Sequence, residues 1–265
     1  MQVKVLADNS VAALRPKKLL AEWGFSAIVG DVLFDTGQNL AAIHNSRLLG
    51  VEDFSCIVLS HGHYDHTGGL TSFLEFYGNN GGRRKKVYLH PDAWLPRVYR
   101  DTPIGMPWQR EEIEGLAEVV EHREPVEVSG NIVALGEIPR KKKDMRIGKI
   151  KRNGVWEEDA IYDDQSLAVK TEGGILLVLG CCHSGLENTV NYAEEVCGDE
   201  VRYIVGGTHL VGMKDDEVRE IARWLDRKVE LVAACHCTGF RAEAILHSEL
   251  GEKFSFAGAG SVFDF

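Results

Sequence analysis

Short apolar runs of strand length alternate with segments of helical periodicity between Phe25 and Leu89. Two of the apolar runs flank Gly30-Asp31, and this spacing is typical of a β-hairpin. Two longer segments repeat their apolar residues at helical spacing, which predicts amphipathic helices. The predicted elements are strands over Phe25–Val29, Val32–Phe34, Ser55–Leu59 and Val87–Leu89, and helices over Thr36–Leu49 and Leu70–Tyr77.

The regular alternation breaks between Pro91 and Asp159. Several prolines interrupt this stretch, and its only strong patterns predict a helix over Arg110–His122 and a strand pair over Val126–Val128 and Ile132–Leu135. We interpret residues 91–159 as a lid-like insertion over one face of a single domain that spans residues 1–265.

Strands and helices alternate again after Asp159. A hairpin is followed by strand–helix units, and this mixture favours an α/β sandwich with helices outside two packed sheets. The predicted strands are Ser166–Lys170, Ile175–Leu179, Arg202–Val205, Leu231–Ala234 and Phe254–Phe256, and the predicted helices are Leu186–Cys197, Asp215–Lys228 and Gly239–Leu250.

The composition is ordinary for a globular chain of 265 residues, with 44% hydrophobic and 26% charged residues. The formal net charge of −10 disfavours a nucleic-acid partner, because phosphate backbones require a surplus of Lys and Arg. The first residues lack the pattern of a signal peptide, and apolar runs such as Ile175–Leu179 are too short to cross a membrane. We therefore expect a cytoplasmic protein without a membrane partner, and the sequence leaves a homo-oligomer open.

Six cysteines are spread along the chain without the regular spacing of a disulfide framework. We expect them to be reduced thiols, and burial as small apolar side chains is their simplest role. Cys181 and Cys182 lie beside a histidine in the sequence GCCHSG, so metal ligation by a thiolate is a second interpretation for them.

The strongest chemical signal is HGHYDH at residues 61–66, directly after a predicted strand. Imidazole nitrogens and carboxylate oxygens are the usual ligands of Zn²⁺ and similar metals. On such a loop His61 and His63 can face one position while Asp65 and His66 face a second. The cluster therefore predicts one or two divalent metal ions, with zinc first and Fe, Mn or Co as alternatives.

Other polar residues also follow predicted strands and are candidates for the same site. We expect His183 and His236 to be metal ligands and His209 to contact substrate or support a ligand. Asp35 ends an early strand and could orient a ligand imidazole. Asp164 remains open as a ligand, a base or a turn residue.

The motif HGHYDH resembles the HxHxDH motif of the metallo-β-lactamase superfamily, and the later strand-ending histidines follow the order found there. The resemblance implies an αββα sandwich. It also implies that His61 and His63 bind one metal, that Asp65 and His66 serve the second, and that His236 supplies the last histidine. Cys181 stands where the superfamily usually has a bridging aspartate, and His183 follows it.

The stretches Asp163–Val190, Gly206–Leu210 and His236–Leu246 are similar to one branch of this superfamily, the dihydropterin–ribofuranosylaminobenzene phosphate synthases of methanopterin biosynthesis. This resemblance implies a transferase that joins a pterin methyl diphosphate to an arylamine ribose phosphate. Asp65, His209 and Asp164 are then candidate catalytic residues, and Cys181 would support the metal ligands. The alternatives are a metallohydrolase of phosphoesters, esters or lactones, and a redox or sensor protein that binds metal.

Two basic runs contrast with the acidic chain, at residues 83–86 and 140–143. Their simplest interpretation is a solvated loop, but a phosphate-bearing small molecule would also suit them. The candidate phosphate-binding residues are Arg83, Arg84, Lys141 and Lys142.

Overall fold

The computed structural model describes residues 1–12, 18–78 and 84–265. Its strands are β1 (Gln2–Ala7), β2 (Ser26–Val29), β3 (Val32–Phe34), β4 (Cys56–Val58), β5 (Lys86–Leu89), β6 (Arg97–Tyr99), β7 (Thr102–Pro103), β8 (Glu118–Glu121), β9 (Val126–Ser129), β10 (Ile132–Ala134), β11 (Lys149–Arg152), β12 (Val155–Glu158), β13 (Ser166–Thr171), β14 (Gly174–Leu179), β15 (Val201–Gly207), β16 (Leu231–Cys235), β17 (Phe254–Phe256) and β18 (Val262–Asp264).

Helices surround these strands. The α-helices are α1 (Ala41–Leu48), α2 (Tyr64–Thr67), α3 (Leu70–Tyr77), α4 (Arg110–Leu116), α5 (Leu186–Cys197), α6 (Asp215–Lys228) and α7 (Phe240–Leu250), and short 3-10 helices span Pro91–Trp94, His236–Thr238 and Gly251–Lys253. Among the described residues, no helix combines the length and the apolar character needed to cross a bilayer.

Two seven-stranded sheets form the centre of the fold, in the orders β18-β1-β2-β3-β4-β5-β8 and β17-β16-β15-β14-β13-β10-β9. Strand β14 shows how they are covered, because its side chains alternate between two apolar clusters. Leu176 and Val178 pack with residues of the first sheet, such as Val58. Leu177 and Leu179 pack with the helices α5, α6 and α7. Helices α1, α3 and α4 cover the first sheet from outside, which gives the αββα layering that we predicted.

Two predicted helices differ from the structure in their extent. Helix α4 ends at Leu116, and β8 follows it in parallel register with β5. The prediction of one helix over Arg110–His122 is therefore wrong in its second half, because pairing with β5 outweighs the helical pattern. The predicted helix Thr36–Leu49 begins only at Ala41, because the Thr36 backbone donates a hydrogen bond to the His66 carbonyl instead.

Residues 91–159 contribute to all three sheets. Strand β8 extends the first sheet, and β9 and β10 extend the second. Only the four strands β12-β11-β6-β7 form a separate sheet. This third sheet contacts the histidine loop through a β-bridge between His63 and Gly105, and the Tyr64 N–H donates to the Ile104 carbonyl.

A buried ion cluster joins the third sheet to the histidine loop. Arg97 of β6 is only 2% exposed, and its guanidinium binds Asp159 and Asp163 with N···O distances of 2.7 and 2.5 Å. The other carboxylate oxygen of Asp163 accepts the Gly62 N–H at 2.7 Å. Gly62 lies between the first two histidines of HGHYDH, so this cluster fixes the loop from outside.

Replacing Arg97 with Met leaves two buried carboxylates without their cation. A buried charge without its partner is strongly destabilising, so we expect the free energy of unfolding to fall by about 3–5 kcal/mol. Urea unfolding of the metal-free protein measures this change. The matched control is Arg146→Ala, which removes an exposed ion pair with Glu158 and should change stability little. Equal stability of the two variants would contradict the role of Arg97.

Candidate metal centre

Five buried imidazoles converge where strands of both large sheets end. His61 follows β4, His183 follows β14 and His236 follows β16. The ring centroids of His61 and His183 lie 4.8 Å apart, and those of His66 and His236 lie 5.0 Å apart. His63 packs against His61 with a centroid distance of 4.5 Å. The structure thus brings together residues that are more than 170 positions apart in the sequence, as His61 and His236 show.

The histidine loop has a shape that only small residues allow at two positions. A Cβ atom on Gly62 would lie 2.2 Å from the Ala93 carbonyl oxygen, and one on Gly68 would lie 1.8 Å from the Gln38 carbonyl oxygen. The backbone is extended at His63 and then forms the short helix α2. After this change of direction the ring of His66 packs against both His61, at a centroid distance of 4.3 Å, and His236.

Among the described residues the candidate ligand atoms form five overlapping sets, each with its atoms within 4.8 Å of one another, and two of these sets contain no cysteine. His61, His63 and His183 form the first set. Asp65, His66 and His236 form the second. This grouping corresponds to the two positions expected from the order of residues in HGHYDH.

Hydrogen bonds from behind orient three of the imidazoles. Asp35 lies 2.7 Å from Nδ1 of His66, and Ser60 Oγ lies 2.9 Å from Nδ1 of His61. Asn9 Oδ1 lies 3.2 Å from Nδ1 of His236. With Nδ1 engaged in each ring, Nε2 is the atom that faces the centre, as is typical of metal-binding histidines. Asp35 therefore lies where we expected a carboxylate that orients a ligand.

Strained backbone conformations also concentrate here. Asp35, Cys182, His209 and His236 all have φ between +50° and +59°, in the left-handed region that residues other than glycine rarely adopt. Such strain persists only where the surroundings impose it, and it is common at functional sites.

The residues fit a divalent metal. In the part of the chain that the structure describes, Nε2 of His63, Nε2 of His236 and both ring nitrogens of His183 are buried without a hydrogen-bond partner. Unpaired buried polar atoms are costly, and a metal ion would use these lone pairs. Burial also lowers the pKa of His61, His63, His183 and His236, which keeps these imidazoles neutral as metal binding requires.

The predicted catalytic residues other than Asp65 lie beside the first set. The ring of His209 lies 4.4 Å from that of His183, and its Nδ1 has no partner among the described residues. Asp164 is fully buried and accepts the Ser184 N–H at 2.8 Å, while its Oδ1 has no partner there either. Burial raises the pKa of Asp164.

The basic candidates separate into different places. Lys142 lines a cavity between the helices α5 and α6 and the loops that carry His183 and His209. The Lys141 ammonium group is exposed and lies 3.9 Å from Glu195. Arg84 precedes β5, at the opposite end of the sheet from the histidines, and its guanidinium binds the Glu114 carbonyl. The structure therefore does not bring Arg84 to the site. Arg83 lies outside the described residues.

Several residues of the site escaped the sequence analysis. Ser60, Asn9 and Asp163 act through hydrogen bonds to the histidine loop or to His236, and isolated polar residues carry no pattern. Cys237 lies with Cys181 and His236 in a further set of candidate ligand atoms. Its sequence signal is the pair of cysteines, Cys235 and Cys237, on either side of His236.

The metal-free protein should lose stability as the pH falls below about 6.5. Folding lowers the pKa of four buried imidazoles, so their stabilisation is present above the ordinary value of 6.5 and is lost on acidification. Below pH 6.5, each of these four imidazoles should reduce the free energy of unfolding by about 1 kcal/mol per pH unit. His66 behaves oppositely: burial lowers its pKa, but Asp35 and Asp65 outweigh burial and raise it to about 9. Its stabilisation is therefore present at acidic pH and lost as the pH rises toward 9.

Urea unfolding in the presence of a chelator, at about pH 6.5 and about pH 5.5, measures this loss. His236→Gln should reduce the pH slope, because one of the four imidazoles is then absent. An unfolding free energy that is the same at both pH values would contradict the expected burial of neutral imidazoles.

Comparison with known proteins gives the same assignment as the geometry. The metallo-β-lactamase superfamily pattern matches residues 29–139. An uncharacterized protein from Methanocaldococcus jannaschii is 34% identical over 250 residues, which cover 91% of each chain. The 7,8-dihydropterin-6-methyl-4-(β-D-ribofuranosyl)-aminobenzene-5′-phosphate synthase of the same organism is 29% identical over 251 residues, which cover 88% of this chain and 84% of that one.

A solved structure of a metal-dependent hydrolase of the β-lactamase superfamily superposes with a TM-score of 0.88 and 32% identity, over 100% of this chain and 99% of that one. Both sheets and their outer helices are thus part of a known architecture. The chain belongs to the metallo-β-lactamase superfamily.

Proposed function

We propose that this chain is a metal-dependent transferase that joins a pterin methyl diphosphate to an arylamine ribose phosphate. The observation that carries the proposal is the similarity to the dihydropterin-ribofuranosylaminobenzene phosphate synthase, which extends over 88% of the chain. This similarity extends well beyond the residues 29–139 that match the superfamily pattern.

In the proposed reaction, the arylamine nitrogen forms a bond to the pterin methylene carbon. The bond between this carbon and the diphosphate oxygen breaks, and its electron pair leaves with the diphosphate. The amine also gives up one proton. The site must therefore stabilise a leaving anion and accept a proton.

Residues of the two sets would hold the metal ions: His61, His63, His183, Asp65, His66 and His236. When bound, divalent metal ions supply positive charge that stabilises the leaving diphosphate. His209 lies beside His183 with Nδ1 unpartnered among the described residues, so it can donate a hydrogen bond to a diphosphate oxygen.

Asp164 is the proposed proton acceptor. Its Oδ1 is unpartnered among the described residues, and burial makes its carboxylate more basic than an exposed one by raising its pKa. The pKa of His209 is raised: burial lowers it, but the neighbouring Cys237 outweighs burial. The Asp164 carboxylate raises it further. We therefore propose His209 as the hydrogen-bond donor and Asp164 as the proton acceptor, within electrostatic range of each other.

A cavity of about 260 Å³ lies between the helices α5 and α6 and the loops that carry His183 and His209, and we propose it for a flat ring that carries phosphate, although its lining includes none of the six candidate ligands. Cys182 and Thr208, the chain neighbours of His183 and His209, form part of its wall. The apolar residues Met145, Leu186, Leu210 and Trp224 line the cavity and favour an aromatic ring. Lys142 at its margin favours an anion, whereas Lys143 is paired with Glu217 at 2.8 Å, and Glu187 and Glu220 also line the cavity.

A hydrolase is the second candidate, because the structure with 32% identity is described as a metal-dependent hydrolase. The same arrangement of ligands and cavity would serve a phosphate-bearing ester. The two functions differ in whether a second organic substrate or water accepts the transferred group, so product analysis separates them.

Mass spectrometry of the metal-loaded protein with a pterin methyl diphosphate, with and without the arylamine ribose phosphate, tests the proposal. We expect the coupled product and diphosphate only when both substrates are present. Hydroxymethylpterin formed without the arylamine would support the hydrolase instead. Asp164→Asn is the matched variant, and it should slow product formation while metal content is retained.

Lys142 should contribute to phosphate binding and Lys141 should not. Lys142 lines the cavity, whereas the Lys141 side chain is 77% exposed and points toward Glu195. Because a partly exposed charge contact contributes little, we expect Lys142→Ala to raise KM about two- to fivefold with kcat unchanged. Lys141→Ala is the control with unchanged kinetics. Equal effects of the two substitutions would argue against binding in this cavity.

A further inference from the structure

We infer that Cys181 and Cys237 are metal ligands, so that the centre combines imidazole, carboxylate and thiolate. Neither the proposed transfer reaction nor the superfamily pattern requires sulfur at this position. The inference concerns the composition of the centre and holds whether the chain is a transferase or a hydrolase.

Cys181 lies between the two sets of ligand atoms. Its sulfur lies within 4.8 Å of the ligand nitrogens of His61 and His66, and likewise of those of His183 and His209. The distance to His66 Nε2 is only 3.2 Å. A side chain that faces members of both sets is placed to bridge two metal ions. This is the sequence position at which a bridging aspartate was expected from the family resemblance.

Cys237 lies beside His236, which is also a member of the second set. Its sulfur, that of Cys181 and a ring nitrogen of His236 lie within 4.8 Å of one another. The Nε2 of His236 is buried, has no hydrogen-bond partner among the described residues and lies 3.5 Å from Asp65 Oδ2, so its lone pair is available to a metal ion. An unpartnered nitrogen beside two thiols is the donor set of a soft or borderline metal.

Two other cysteines of the same loops face away from the centre. Cys182 packs in the apolar cluster beneath α5, and its sulfur lies 3.4 Å from the Thr189 hydroxyl. Cys235 packs in the cluster between the large sheets. Within residues 1–12, 18–78 and 84–265, neither joins a set of candidate ligand atoms. Cys181 and Cys237 are therefore the candidate ligands, whereas Cys182 and Cys235 contribute to apolar packing.

Thiolate ligation has a consequence for metal choice. Thiolates favour zinc and iron over magnesium and manganese, which prefer oxygen ligands. Two thiolates and the Asp65 carboxylate also supply three negative charges to the centre. The net positive charge of two bound dications would therefore be small.

X-ray absorption at the zinc edge of the zinc-loaded wild-type protein tests the inference without any substitution. Zinc–sulfur distances are about 2.3 Å and zinc–nitrogen distances about 2.0–2.1 Å, so sulfur gives a separate shell. We expect this shell in the wild type. A spectrum with only nitrogen and oxygen neighbours would overturn the inference, whatever the enzymatic activity proves to be.

Four substitutions assign the sulfur shell to residues. Cys181→Ser should weaken it more than Cys237→Ser does, because a bridging sulfur neighbours both metal ions. Cys182→Ser and Cys235→Ser are the matched controls and should leave it unchanged. A shell of undiminished amplitude in Cys181→Ser and in Cys237→Ser, or one that weakens in a control, would overturn the assignment. If the two variants bind no zinc, the wild-type shell and unchanged controls still support ligation by Cys181 and Cys237.

Discussion

The imidazoles of His61, His63, His66, His183 and His236 are buried against one another. The surrounding hydrogen bonds, backbone conformations and loop contacts follow from this arrangement. A buried imidazole without a partner is unfavourable, and several together cannot all be protonated. The chain compensates from behind, through Asp35, Ser60 and Asn9, and this fixes the orientation of three rings. The atoms that remain free then match what a metal ion requires.

The surrounding fold explains how such an unfavourable cluster is maintained. The ends of parallel strands in two packed sheets supply rigid attachment points, and left-handed backbone at His209 and His236 turns these side chains inward. The Arg97 cluster holds the histidine loop from the third sheet. Strain and desolvation at the centre are thus offset by packing in the apolar clusters around it.

The fold and most of the metal centre could be predicted from the sequence because they depend on local patterns. The strands before His183 and His236 are apolar and regular, and HGHYDH is compact. Residues that act over long distances could not be found in this way. Arg97 and Asp163 are 66 positions apart and meet only through the third sheet. The strand β8 was hidden because pairing with β5, and not its own sequence, decides its conformation.

Charge links the two proposals. A centre with two thiolates and a carboxylate would carry little net positive charge even with two metal ions bound, so a diphosphate would need further cations. Lys142 at the margin of the cavity between α5 and α6 is a candidate, whereas Lys143 is paired with Glu217 in a chain whose formal net charge is −10. Weak positive charge at the centre also activates water less, which favours transfer to an organic acceptor over hydrolysis. Sulfur ligation would thus reduce the positive charge at the metals. Lys142 would restore positive charge where the substrate phosphates would lie.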